Sequence, residues 1–200
     1  MAITIDGGTN TISGLAVGGL PDGVVDGDML ASGTGGKVLQ VVATNKTDTY
    51  SISVASIGTS SANVTGLEAA ITPSATTSKI LVSGHILLGS SNPDVNSSVD
   101  VQLIRDGSIV ADANGATAGS RVRMLGSGAF STIYEAQSVG WSFLDSNTPA
   151  DTSTAITYGI RLHNNRGATS TLYVNRNGDD TDNAGNMRGA SSIIAWEIGA

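Results

Sequence analysis

The chain has 200 residues, a formal net charge of −7 at pH 7, 26 glycines and no cysteine. The lack of cysteine excludes disulfides, iron–sulfur clusters and thiolate zinc sites, and no cluster of lysine and arginine could follow a nucleic acid backbone. Only 14% of the residues are charged, against about 25% in an average soluble domain, so part of the surface is expected to face other subunits.

The first 36 residues differ in character from the rest of the chain. Glycine- and aspartate-rich turns, such as Asp6–Gly8 and Gly18–Gly23, alternate with scattered aliphatic residues that follow no helical period. A disordered tail is one interpretation, but such tails seldom contain so many aliphatic residues. We therefore predict an extended arm over residues 1–36, whose aliphatic side chains become buried when three chains assemble or when the arm attaches to a partner.

The start of the sequence also bears on localisation. It lacks the basic and apolar regions of a signal peptide, and no stretch of the chain approaches the ~18 apolar residues of a membrane helix. We expect a protein that is made in a cytoplasm and does not insert into a membrane. Because no disulfide can strengthen it, oligomerisation is the expected source of extra stability.

Residues 37–200 show the pattern of an antiparallel β protein. The predicted strands are Val38–Val42, Tyr50–Val54, Val64–Ile71, Lys79–Leu88, Val99–Arg105, Ile109–Val110, Ser138–Leu144, Ile156–Leu162, Thr171–Val174 and Ser192–Ile198. Most alternate apolar and polar residues, and Asp106-Gly107 supplies a hairpin turn. Lys79–Leu88 is the most hydrophobic run and is predicted to be central. With no convincing helix, residues 37–200 are predicted to form an all-β head, an antiparallel β-sandwich or jelly roll.

The residue inventory argues against an enzyme. The two histidines, His85 and His163, fall in strand patterns without an obvious nucleophile. The acidic residues fall almost entirely in turns, where hydrogen bonds to the local backbone explain them. We therefore assign no catalytic residue and no cofactor.

One loop contains enough oxygen donors to be considered for a metal. Asn177, Asp179, Asp180 and Asp182 lie close together in sequence, and hard oxygen ligands on a flexible loop suit Ca²⁺. The segment lacks the bidentate glutamate that ends an EF-hand loop. A solvated hairpin loop is therefore the favoured interpretation, and a calcium site is the alternative.

The aromatic residues of the predicted strands are assigned to the core by default, since large apolar side chains dominate core packing. They are Trp141, Phe143, Tyr158, Tyr173 and Trp196. Tyr50 and Tyr134 are less confined, and exposed aromatic rings often bind sugars.

Several short motifs, in their shared order, resemble those of marine phage and cyanophage fibre-like virion proteins. In residues 37–200 they are Lys37–Val42, Ile71–Ser74, Lys79–Val82, Ser142–Asp145, Thr154–Tyr158, Leu172–Arg176, Asp180–Asp182, Arg188–Ser192 and Trp196–Ile198. Ile12–Leu15 and Gly19–Gly23 look like parts of tail-fibre arms. The resemblance implies a homotrimeric β-sandwich head, similar to C1q- or TNF-like lobes, on an extended stalk. A long fibre would contain more repeats, so a short fibre, a fibre tip or a capsid decoration is implied.

Three functions remain open at this point. The first is a short trimeric tail fibre, bound to another virion protein through residues 1–36, that recognises a host-surface glycan or protein. Its predicted contact loops, grouped at the distal end of the head, are Ser90–Ser98, Asp112–Gly128, Ser146–Thr154 and Asn175–Gly189. The second is a capsid decoration or head-fibre protein that binds and stabilises the shell. The third is a soluble carbohydrate-binding or hydrolytic module.

Overall fold

The computed structural model describes residues 4–6, 8, 11–13, 38–56, 61–93, 98–147 and 152–199. It divides into two units, Met1–Lys37 and Val38–Ala200. In the first unit, β1 (Thr4–Asp6) pairs with β2 (Thr11–Ser13) as a short antiparallel hairpin within the predicted arm. The rest of that arm lies outside the described residues.

The second unit, called the head below, is built from two antiparallel sheets. In chain order its strands are β3 (Val38–Lys46), β4 (Tyr50–Val54), β5 (Ser61–Ile71), β6 (Lys79–Ser90), β7 (Ser98–Arg105), β8 (Ser108–Ile109), β9 (Gly126–Ala129), β10 (Gln137–Asp145), β11 (Ile156–Asn164), β12 (Ser170–Val174) and β13 (Ser191–Ile198). A single 3-10 turn, Ala111–Ala113, is the only helical segment among the described residues. The predicted all-β antiparallel sandwich is confirmed.

The first sheet is organised around β6. Strand β10 pairs with one edge of β6, and β13 and β12 follow one another along its other edge. Strands β3 and β4 extend the sheet beyond β13 and β12. The prediction of a central Lys79–Leu88 strand is therefore confirmed, because β6 has partners on both sides. The last strand, β13, also has partners on both sides.

The second sheet has the order β5–β11–β7, with β8 and β9 on the outer edge of β7. Alternate side chains of both sheets point into a shared apolar core, as the period of two requires. Fully buried aliphatic residues from the two sheets include Val82, Ile193, Leu103 and Ile160. Each such side chain contributes roughly 1.5–3 kcal/mol by leaving water, so the core is the main source of stability.

A glycine in β6 makes room for the tryptophan of the core. Gly84 lies between Trp141 of β10 and Ile193 of β13. A side chain at position 84 would collide with the Trp141 ring and with the Ser192 carbonyl oxygen. The glycine is required here because a ring and a neighbouring backbone approach the same point.

Asn175 holds the junction between β12 and β13. It is fully buried and has a φ of 65°, in the left-handed region that asparagine tolerates. Its side-chain amide donates hydrogen bonds to the carbonyl oxygens of Lys46 (2.8 Å) and Asp48 (2.9 Å), and its Oδ1 accepts one from Ser191 Oγ (2.6 Å). One residue thus fixes the break between β3 and β4 and the break between β12 and β13.

Strand β9 corrects the sequence prediction, which placed Gly126 and Gly128 in a loop. Both lie in a strand that pairs with β7. A side chain at position 126 would collide with Val139, and one at position 128 would crowd Gln137 and Phe130. These glycines allow close packing inside a strand, whereas the sequence pattern suggested a turn.

Candidate functional site

The pairing registers define two ends of the head. Val38 pairs with Ile198, which pairs with Lys79, and Asp145 is opposite the neighbouring Ile80. We call this the entry end, since the head begins there, and the opposite end, where Ser90 lies, the far end.

The four predicted contact loops do not gather at one end, which corrects the prediction of a single distal cluster. Ser90–Ser98 joins β6 to β7 at the far end, whereas Ser146–Thr154 joins β10 to β11 at the entry end. Asp112–Gly128 runs along β7 between the two ends. Asn175–Gly189 starts three residues from the far end of β6, where the Asn175 backbone amide donates to Leu87 O. The topology alone separates them, because successive connections of an antiparallel sandwich fall at opposite ends.

The calcium candidates have protein partners in the structure. Asp179 accepts hydrogen bonds from the Thr181 backbone amide and hydroxyl, and Asp180 is paired with Arg188. Asn177 is buried, and its amide donates to Asn186 Oδ1 at 2.9 Å. Asp182 is exposed. In the described part of the chain, no group of three or more histidine, aspartate or glutamate side chains could hold a metal ion.

The two histidines lie on opposite sheets. His85 is exposed on β6, with Nδ1 3.1 Å from Ser192 Oγ.

His163 is buried on β11, with its Nδ1 3.6 Å from Asp100 Oδ2. Asp100 Oδ1 also accepts hydrogen bonds from the hydroxyls of Ser98 and Ser127, both at 2.9 Å. A catalytic triad needs a serine at the imidazole, and here both hydroxyls are bonded to the carboxylate.

A polar network joins the two sheets at the entry end. Asp145 of β10 is 2% exposed and accepts hydrogen bonds from Arg105 Nη1 (2.6 Å) and from the Tyr158 hydroxyl (2.8 Å). Burial and the bond to Asp145 raise the pKa of Tyr158 well above its ordinary value. Burial acts to lower the pKa of Arg105, but the hydrogen bond and charge of Asp145 outweigh it and raise the pKa. Tyrosine and arginine therefore stay protonated, and the network ties strands together.

A cavity of about 400 Å³ opens beside this network. It is lined by Arg105, Asp106, Ser108, Ile109, Val110, Ala111, Asp112, Asp145 and Asn147. Asn147 closes its rim by donating from Nδ2 to Asp112 Oδ2 at 3.2 Å, and its backbone amide donates to Asp145 Oδ1 at 3.0 Å. The polar groups at its base are thus engaged with one another.

The most distinctive surface is the outer face of the first sheet, formed by the outward residues of β3, β13, β6 and β10. Its rows, read across the strands from the entry end, are Val38–Ile198–Lys79, Val41–Trp196–Leu81–Leu144, Ala43–Ile194–Ser83–Ser142 and Asn45–Ser192–His85–Gly140. Val41 is 47% exposed and Leu144 is 45% exposed. The face contains no aspartate or glutamate, and its one lysine lies at the entry end.

Trp196 corrects the default assignment of strand aromatics to the core. It points outward with Val41 and Leu81 as neighbours, and its Nε1 donates to Ser83 Oγ at 3.4 Å. Trp141 and Tyr158 are buried in the core as predicted, whereas Phe143 packs against it from a half-buried position. Tyr173 is half-buried, with the Arg176 guanidinium 3.6 Å from its ring centroid.

A signal for the outer face was present in the sequence. The last strand contains a continuous apolar run, Ile193–Trp196, in place of strict alternation. Such runs are typical of strands covered on both faces. In the structure, Ile193, Ala195 and Glu197 on one face of β13 are buried, whereas Ile194, Trp196 and Ile198 on the other face are half-buried.

Comparison with known proteins leaves the family open. No protein-family model matches the chain, and no curated protein matches it. Among solved structures, the chain is similar to the crystal structure of the infectious bursal disease virus VP2 subviral particle, with 16% identity over 80% of this chain, 38% of that chain and a TM-score of 0.41. The structure of the Gt strain of the same virus gives 16% identity, 80% and 38% coverage, and a TM-score of 0.40.

The chain therefore spans less than two fifths of the viral proteins that it resembles. With TM-scores below 0.5, these similarities support no argument about the fold or the function of this chain.

Within the described ranges, no helix has the length and hydrophobicity of a membrane span.

Proposed function

We propose that this protein is a structural protein of a phage virion, most favourably a short homotrimeric tail fibre that recognises a host surface. The observation that carries the proposal is the outer face of the first sheet, which combines exposed apolar side chains with a lack of acidic residues. Contiguous apolar surface of this kind marks an interaction site on a soluble protein. A head that assembles through one face leaves its other sheet and its loops available for contact.

The remaining features of the head support an assembly role. Its buried polar clusters, at Asp145, Asp100 and Asn175, have partners within the chain and anchor strands or sheets. We therefore propose no enzymatic activity and no cofactor. In this proposal residues 1–36 attach the head to another virion protein, and the loops bind a host glycan or protein weakly. Three copies acting together raise the overall affinity.

The location of the protein in the particle tests this function. We expect antibodies against the full-length chain to label the tail of intact virions in electron micrographs. Labelling across the capsid would replace the tail fibre with a capsid decoration or head-fibre protein that stabilises the shell. An unlabelled particle, together with sugar binding or polysaccharide cleavage by the purified chain, would contradict both and favour a soluble carbohydrate-active module.

A further inference from the structure

We propose that the outer face of the first sheet is the docking site for a second copy of this chain, so that the heads assemble through this sheet. The inference rests on the proposed function, which needs an oligomer, and it names the surface that makes one. The central row of the face, Val41, Trp196, Leu81 and Leu144, crosses all four strands without a charge. Burial of this row against an apolar partner is favourable, at about 25 cal/mol for each Å² removed from water.

Charge favours a second copy as the occupant. Each chain carries a net charge of −7, so two chains repel each other over most of their surfaces. The outer face lacks acidic residues, and its only charged side chain, Lys79, lies at the entry end. Two copies can therefore bring these faces together without desolvating a carboxylate or placing like acidic charges in contact.

The size of the face indicates how the copies meet. Four strands spaced by ~4.8 Å, over about seven residues at ~3.3 Å each, give a flat footprint of roughly 450 Å². A stable interface takes roughly 600–1,000 Å² from each partner. The flat face by itself is smaller than this, and the outer edge of β3, where Leu39 is 50% exposed, adjoins it as further apolar surface. The interface therefore includes both the sheet face and the β3 edge.

The head starts on the outer face, because Val38 belongs to the first row of that face, beside Ile198. In a cyclic assembly whose symmetry axis runs parallel to the strands, docking through this face brings the Val38 residues of the copies near one another. The chains then enter their heads side by side, as a short fibre requires.

Light scattering on matched charge variants tests the site. Leu144→Glu places a carboxylate in the central row, and the control Ile109→Glu places one on the second sheet. The two positions are similarly exposed, at 45% for Leu144 and 40% for Ile109. We expect the full-length wild type and the control to have a molar mass three times the chain mass of 20.1 kDa. Leu144→Glu is expected to have a mass of 20.1 kDa and an unchanged circular dichroism spectrum. Retention of the wild-type mass by Leu144→Glu, or equal dissociation of both variants, would overturn the inference.

Cross-linking distinguishes a second copy from the chain's own first 37 residues. The sequence has no cysteine, so Ser142→Cys on the outer face and Ser108→Cys on the second sheet each introduce a single thiol. A short bis-maleimide should join two chains only through position 142. Absence of that product, with a wild type of 20.1 kDa, would overturn the inference, because no second copy would then occupy the face. A dimer lost in Leu144→Glu would support the docking face and contradict the trimer of the proposed function.

Discussion

Glu197 is an inward-pointing carboxylate on the last strand, with an exposed fraction of 0%. Its Oε1 accepts hydrogen bonds from the backbone amide of Ser74 (2.7 Å) and from the Ser74 hydroxyl (2.8 Å). Burial acts to raise the pKa of Glu197, but hydrogen bonds from Ser78, Ser74 and the turn backbone outweigh it and lower the pKa. The carboxylate thus fastens the turn before β6 to β13.

The lowered pKa of Glu197 predicts a pH-dependent contribution to stability. This contribution is complete above the unfolded-state pKa of about 4.5 and is lost as the pH falls through the lower folded-state value. We expect Glu197→Gln to lower the free energy of unfolding by about 1–3 kcal/mol at pH 7, and the gap to the wild type to narrow at about pH 3. Urea titrations at both pH values measure the change.

A control variant accompanies this test. Glu68 is an exposed carboxylate of β5, and Glu68→Gln should leave the free energy of unfolding nearly unchanged at both pH values. A gap between Glu197→Gln and the wild type that widens toward acid would contradict the assigned role of Glu197.

At the scale of the elements, the two sheets are joined by more than apolar packing. Asp145 ends β10 in the first sheet, whereas Arg105 ends β7 and Tyr158 lies near the start of β11 in the second. Their hydrogen bonds close the sandwich at the entry end. Because the three residues come from strands that are distant in sequence, the network depends on both sheets being assembled.

Two variants separate the parts of this network. Tyr158→Phe removes one hydrogen bond and leaves Asp145 bonded to Arg105, so we expect a loss of about 1–2 kcal/mol in the free energy of unfolding. Asp145→Ala leaves both donors without their acceptor and should cost about 2–3 kcal/mol. Denaturant unfolding with an unchanged m value measures both losses. A larger loss in Tyr158→Phe than in Asp145→Ala would show that Asp145 does not organise the network.

The strands themselves were largely predictable, because period-two alternation and turn residues are local signals. The exceptions have physical reasons. Strand β9 contains two glycines, and its strand character comes from pairing with β7 rather than from propensity. The β12–β13 junction depends on Asn175, whose hydrogen-bond partners Lys46 and Asp48 lie more than 100 residues earlier in the chain.

At the scale of the whole molecule, the charge of the chain opposes assembly and the outer face favours it. No acidic residue behind the net charge of −7 belongs to that face, so the balance between the two effects depends on ionic strength. Salt shortens the screening length from about 10 Å at 0.1 M to about 3 Å at 1 M. Repulsion between copies therefore weakens with salt, while apolar contacts persist.

This balance predicts the response of the oligomer to salt. Raising sodium chloride from about 0.1 M to about 1 M should leave the oligomer intact or shift its dissociation to lower protein concentration. Light scattering over a dilution series at each salt concentration measures the shift. Dissociation at high salt would indicate an interface held by ion pairs and would exclude the uncharged face as its main component.

The sequence by itself determined the fold class, most strand positions, the absence of disulfides and the low charge that suggests subunit contacts. These are local or compositional properties, and they do not depend on which strands become neighbours. Only the tertiary structure decided that Trp196 points outward while Glu197 points into the core, and that Val41, Trp196, Leu81 and Leu144 share one row. Alternation defines two faces on every strand, but strand pairing and sheet packing decide which face is covered.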